Sequence, residues 1–159
     1  MFLEIKEGRH RCNRWLPKFT FKDIIIGKVT FLGDFSYDIG AKHQKDSNKV
    51  IGLSNSCFHR LDSIRIGWRW NKTLNSLEVV GICYSRGKRE IKRIKLVKEN
   101  KEYSFTIHIS KDYYTILFDD QVITFENKSK WRFLRYFLFP YFGGRKKAIK
   151  DFKFNIKTF

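Results

Sequence analysis

Alternation with a period of two runs through this chain and excludes most architectures at once. Ile64, Ile66, Trp68 and Trp70 alternate with Arg65, Gly67 and Arg69, while Tyr103, Phe105, Ile107 and Ile109 alternate with Ser104, Thr106 and His108. Successive side chains of a strand point to opposite faces, so each run predicts a half-buried antiparallel strand. Phe152, Phe154 and Ile156 repeat the pattern against Lys153, Asn155 and Lys157. The runs 24–26, 77–84 and 113–118 are apolar on both sides, which predicts central strands covered on both faces. Turn signals separate the runs: Asn71-Lys72-Thr73, Arg86-Gly87-Lys88, Glu99-Asn100-Lys101, Ser110-Lys111-Asp112 and Asp119-Asp120-Gln121. Strand, short turn and strand in this succession predict an all-β fold, a two-sheet antiparallel sandwich or jelly roll with little helix.

Helix has one candidate, residues 130–137, which would place Trp131, Leu134 and Leu138 on one side; an extended aromatic strand over 134–142, running into Pro140, is the preferred reading. Gly143-Gly144 then supplies positions for φ > 0 or close backbone approach before the last strand. Residues 1–18 are mixed and polar and read as an arm or an edge strand. With no repeat, low-complexity segment or Pro-rich linker, the 159 residues are read as one domain.

The chain carries 33 Lys+Arg against 16 Asp+Glu, a net charge of +17. A field of that size attracts polyanions: an anionic glycan, nucleic acid or an acidic protein surface. It serves solubility equally well. The three cysteines, Cys12, Cys57 and Cys83, have neither disulfide-framework nor zinc-site spacing and read as reduced thiols, Cys83 as a small core hydrophobe. Acids in the first seven residues argue against a secretory signal, and no stretch reaches the ~20 apolar residues of a membrane span. The expectation is synthesis in a reducing cytoplasm, with assembly into a larger particle such as a virion as one destination.

Catalytic signatures are sparse. A glucanase-like site needs two carboxylates facing each other across a cleft, whereas Asp119-Asp120 falls in a hairpin turn and Glu78 stands alone on its strand. Glu90-Ile91-Lys92 with Asp62 has a weak nuclease spacing, better read as an ion pair on a charged strand. His10, His43, His59 and His108 are scattered. No metal, no cofactor and no catalytic set are expected.

The binding candidates are Trp68, Arg69, Trp70 and Tyr141, aromatic rings for a sugar or base beside a guanidinium for an anion. Trp68 and Trp70 share a face with Ile64 and Ile66, so a core role competes for both. The basic candidates are Arg86, Lys88, Arg89, Lys92 and Arg93, then Arg145, Lys146, Lys147, Lys153 and Lys157. If the Lys153–Lys157 stripe adjoins the 86–93 hairpin, the two form a phosphate-tracking surface; charged outer faces also keep edge strands from pairing.

The ordered set Asp46 to Leu53, His59 with Ser63 to Arg69, Tyr84 to Arg89, and Pro140-Tyr141-Phe142-Gly143-Gly144 with Ala148 and Asp151 resembles a group of small bacterial and phage proteins with a concanavalin A-like lectin/glucanase sandwich. The resemblance implies two curved antiparallel sheets whose last strand pairs close to the first. Ile149 stands after Ala148 where that group often has Pro, and Arg145-Lys146-Lys147 makes this turn more basic. The expected function is a non-enzymatic, lectin-like binding or assembly module that docks a polyanion or an acidic protein on its basic surface. A nucleic-acid-binding protein and a cryptic carbohydrate-active enzyme are the alternatives.

Overall fold

A computed structural model describes residues 1–14, 16, 18–129 and 135–159, which form twelve strands and one short helix. The strands are β1 (Phe2–Ile5), β2 (Phe19–Thr20), β3 (Ile24–Leu32), β4 (Asn48–Ser54), β5 (Ser63–Asn71), β6 (Ser76–Ser85), β7 (Lys88–Val97), β8 (Glu102–Ile109), β9 (Tyr113–Phe118), β10 (Gln121–Glu126), β11 (Arg135–Leu138) and β12 (Phe152–Thr158); the helix, α1, is Ala41–Gln44. They build two six-stranded sheets. Sheet I has the order β1-β12-β3-β8-β9-β10 and sheet II the order β2-β11-β4-β5-β6-β7, each with antiparallel pairing throughout. The chain is an all-β two-sheet sandwich.

The turns obey their local chemistry. Arg86 and Gly87 both take positive φ between β6 and β7, the backbone twist that a two-residue hairpin requires. Gly144 has φ +74, while Gly143 serves close approach: a Cβ there would lie 2.4 Å from the Ser47 carbonyl oxygen. The closing strand β12 lies between β1 and β3, so the C-terminal residues join the first strands of the chain.

Between the sheets, Phe31, Phe35, Phe105, Phe118, Phe152 and Phe154 pack with Ile64, Ile66 and Trp68. Trp68 meets Phe35 and Phe152 with ring centroids 4.9 and 4.8 Å apart and also touches Tyr37, Phe142 and Phe154. Cys83 is a buried free thiol on the same inner side, its pKa pushed up to about 12 by burial.

Two of the three runs expected to be covered on both faces are not. Residues 77–84 are buried or nearly so on both sides within β6, but Ile24 and Ile26 of β3 and Tyr113 and Leu117 of β9 are exposed. The outer face of sheet I is open, and an apolar residue there carries no information about what covers it. Arg135–Leu138 is a strand, in line with the preferred reading, and residues 130–134 of the helical alternative lie outside the described residues.

Candidate functional site

The outer face of sheet II differs in kind from that of sheet I. Side chains at Ser54, Ser63, Arg65, Glu78, Val80 and Ile82 point away from the sandwich core and are nevertheless buried. Ile26, in the corresponding position on sheet I, is 52% exposed. On sheet II the outward side chains are therefore covered by their neighbours, and two strand glycines set how they lie. A Cβ on Gly52 would lie 2.7 Å from Arg65 Cγ, and one on Gly67 would lie 2.5 Å from Ile82 Cδ1, so Arg65 and Ile82 lie flat across glycines where any side chain would lift them.

Strand register fixes the neighbours across this face. One row runs Tyr136, Ser54, Ser63, Tyr84, Arg89; the next runs Leu138, Gly52, Arg65, Ile82, Ile91; the third runs Lys49, Gly67, Val80, Arg93, with Tyr141 bridged to Lys49 at its end. Arg69 and Glu78 face each other in a fourth row. Adjacent strands are about 4.8 Å apart and same-face rows about 6.6 Å apart, so Arg65 sits within reach of Lys49, Tyr84 and Tyr136. A bulge between Lys49 and Ile51 breaks the β4 register beside Lys49.

Charge is treated oppositely at the two ends of β5. Glu78 is 2% exposed, and its two carboxylate oxygens are taken by Arg69 Nε and by Arg93 Nε, the latter at 3.0 Å. Four residues away Arg65 is 6% exposed, and its Nε and Nη2 are buried without a hydrogen-bond partner among the described residues. Lys49, Arg60 and Arg89 likewise form no ion pair among the described residues. The nearby carboxylates are engaged elsewhere: Asp62 Oδ1 accepts from the Arg86 backbone N–H, and Asp46 lies by Gly144 and His43.

The cluster is electrostatically self-opposed. Burial, then Arg65 and Arg89, brings the Lys49 ammonium down to about 8. Burial lowers Arg65 to about 10, and burial with Arg65, Arg60 and Lys49 lowers His59 to about 4. His59 Nδ1 is 3.4 Å from the Tyr136 hydroxyl, and the Lys49 ammonium lies 5.4 Å from the centre of the Tyr141 ring. Tyr141 in turn stacks on His10 at 5.3 Å. Arg65 and Lys49 are desolvated without a counter-charge, which is costly, and a surface that bears such groups is suited to holding an anion.

Of the sequence candidates, Tyr141 lines this surface. Arg69 is on it but is held by Glu78. Trp68 is 0% exposed and walled in by five aromatic rings, so its indole offers nothing to a ligand. Trp70, on the same side of β5, is half-buried and packs against the core.

The basic residues do not gather on one face. Arg89 and Arg93 point outward from sheet II, whereas Lys92 turns to the sheet I side, donating to the Thr124 carbonyl at 2.6 Å. Arg86 and Lys88 are exposed at the β6–β7 turn, and Arg145, Lys146 and Lys147 are exposed in the loop after Gly144. Lys153 and Lys157 lie on the outer face of sheet I beside Glu4 and Glu102, so the stripe does not adjoin the 86–93 hairpin. Sheet membership decides this, since β12 and β7 belong to different sheets.

Sequence reasoning missed Lys49, His59, Arg60, Arg65, Tyr84 and Tyr136. Two signals touched them: Gly52 and Gly67 inside apolar strands, which mark places where another chain segment lies close, and the segments that carry the resemblance, which contain Lys49, His59, Arg65 and Tyr84 without assigning them a role. Among the described residues no group of His, Cys, Asp and Glu could hold a metal ion, and no helix is long and apolar enough to cross a membrane. Hollows occur elsewhere, one of about 370 Å³ beside Glu4, Arg9 and Cys12 and one of about 180 Å³ beside Asp23, His108 and Arg135. Both are open, and neither adjoins the unpaired cations.

No family model and no curated protein sequence matches the chain. Solved structures do. The alginate lyase AlyC3 superposes with a TM-score of 0.67 at 12% identity, over 99% of this chain and 74% of that one. SCLam, a non-specific endo-β-1,3(4)-glucanase from family GH16, gives 0.60 at 12% identity over 89% of this chain, which spans little more than half, 57%, of the glucanase. A Bacteroides ovatus mixed-linkage glucan GH16 protein gives 0.56 at 9% identity over 99% of this chain and 80% of that one. The likeness is one of fold: the chain is a concanavalin A-like β-sandwich.

Proposed function

We propose that this protein is a non-enzymatic binding module that holds an acidic polysaccharide on the outer face of sheet II. The observation that carries the reading is the outer face of sheet II around Arg65, where buried Arg65 and half-buried Lys49, with the exposed Arg60 and Arg89 near them, lack carboxylate partners among the described residues and three tyrosines, Tyr84, Tyr136 and Tyr141, stand beside them. Phenol rings pack on the apolar faces of sugars and their hydroxyls exchange hydrogen bonds with sugar hydroxyls, while cations select chains that carry negative charge. Two fold relatives give support of a general kind: AlyC3 is seen in complex with dimannuronate, and the Bacteroides ovatus protein in complex with a G4G4G3G product. The clamp on Glu78 favours binding over hydrolysis, because a carboxylate shared by two guanidinium groups makes a poor general base.

Affinity electrophoresis against polyuronate, sulfated, neutral and nucleic-acid matrices tests the reading. Retardation by acidic polysaccharide that persists at 150 mM salt and is lost in Tyr141→Ala supports it. Retardation by every polyanion alike, abolished by salt, would reduce the surface to bulk electrostatics.

A further inference from the structure

Arg65 is the most deeply buried cation on the outer face of sheet II, 6% exposed. Its Nε and Nη2 form one edge of the guanidinium, with two parallel N–H directions, and both are buried with no acceptor among the described residues. A structural arginine at such depth is normally saturated by carbonyls or a carboxylate; this one faces Gly52 and Ile82 across the sheet and has neither. Removing water from a guanidinium without a partner is unfavourable, so the fold maintains an unmet demand for two acceptor oxygens at one place.

We infer that Arg65 anchors a pocket for a single sugar carboxylate, which makes a uronate residue the ligand unit that this face selects. The inference rests on the polysaccharide reading above and names its substrate class. A carboxylate satisfies the Arg65 edge with both of its oxygens in one plane and has no third oxygen to leave without a hydrogen bond beside the apolar Ile82 opposite Arg65. A sulfate places at least one further oxygen there. Lys49 supplies the second positive charge, and Tyr84 and Tyr136 stand in the neighbouring row beside the anchor, where their hydroxyls can meet those of a sugar.

The charged and titratable groups that face Lys49 are Arg65, Arg60 and Arg89, with Asp46 opposing them, and His59 feels its charge. Lys49 half-loses its proton near pH 8. A bound carboxylate favours the charged ammonium, so binding takes up part of a proton and weakens as pH rises above 8.

Calorimetric titration with a defined tetrasaccharide of uronates, its neutral counterpart and a sulfated counterpart provides the test, using wild type, Arg65→Lys, Arg65→Gln and Lys49→Met with thermal unfolding of each as a folding control. Wild type binds the uronate; Arg65→Lys, which keeps the charge and loses the fork, binds it at least about tenfold more weakly, and the sulfated chain falls behind the uronate by a similar factor. Affinity falls between pH 7 and pH 9.5 in wild type and not in Lys49→Met. Uronate binding unchanged in folded Arg65→Lys and Arg65→Gln, or a sulfated chain bound as well as the uronate, overturns the pocket while leaving the polysaccharide reading intact. Failure of all three saccharides to bind wild type overturns both.

Discussion

Arg65 and Arg69 occupy the same face of the same strand, four residues apart, and the fold treats them in opposite ways. Arg69 lies against a buried glutamate that it shares with Arg93. Arg65 lies against glycine and isoleucine, more deeply buried, with two N–H groups unused. A guanidinium that completes a buried carboxylate belongs to the architecture. One that the architecture leaves incomplete is where, on the proposed reading, a ligand completes it, and the difference can be measured because the two predict stability changes of opposite sign.

The largest effect is expected at the completed end. Arg69→Ala leaves Glu78 buried with half its counter-charge and lowers the unfolding free energy by about 3 kcal/mol, read by urea denaturation. Arg65→Met does the reverse: it replaces an unpaired buried cation with an apolar chain of similar length and raises stability by about 1 kcal/mol, while acidic polysaccharide no longer binds. A substitution that stabilises the fold and abolishes binding separates the two ends more sharply than any loss of both. If both substitutions destabilise alike, Arg65 is structural and the comparison fails.

A smaller effect lies in the pH dependence of stability. Lys49 is held at about 8 in the fold against an ordinary value of 10.5, so between those values the unfolded chain binds more protons than the folded one. Stability therefore rises as pH increases from about 8 to 10.5, and Lys49→Met flattens that rise. His59, lowered to about 4 from 6.5, adds a second rise across pH 4 to 6.5 that His59→Gln removes. The smallest effect belongs to the other sheet. Lys157 is an exposed partner of Glu102, and Lys157→Ala leaves both the melting temperature and polysaccharide binding essentially unchanged.

Much of the fold was written in the alternation. Phe152, Phe154 and Ile156 went inward and Lys153 and Lys157 outward, as a period of two requires, and the turn at Arg86-Gly87 fell where its residue types placed it. What alternation does not say is what stands opposite an outward side chain. Ile26 and Ile82 are both outward isoleucines in apolar runs; one is open to solvent and the other is buried because Gly67 lets it lie down across the sheet. The same blindness hid the site. In Ile64-Arg65-Ile66 the arginine reads as an ordinary solvated position, and its burial comes from Gly52 on one neighbouring strand and Ile82 on the other. Lys49 and Tyr84 come from those same two strands and His59 and Tyr136 from two further segments, so no linear spacing announces them. Trp68 illustrates the converse: beside Arg69 it reads as a stacking platform, but its register on β5 places it at the centre of the aromatic core.

The most direct test of the account is a map of backbone amide shifts as a polyuronate oligomer is titrated into the isotopically labelled protein at 150 mM salt. The account predicts saturable shifts at Lys49, Gly52, Arg65, Tyr84 and Tyr141, with Lys28, Lys153 and Lys157 on sheet I unmoved. Shifts that spread over the lysines of sheet I as much as over sheet II would contradict it, because they would show charge attracting the ligand without a site to hold it.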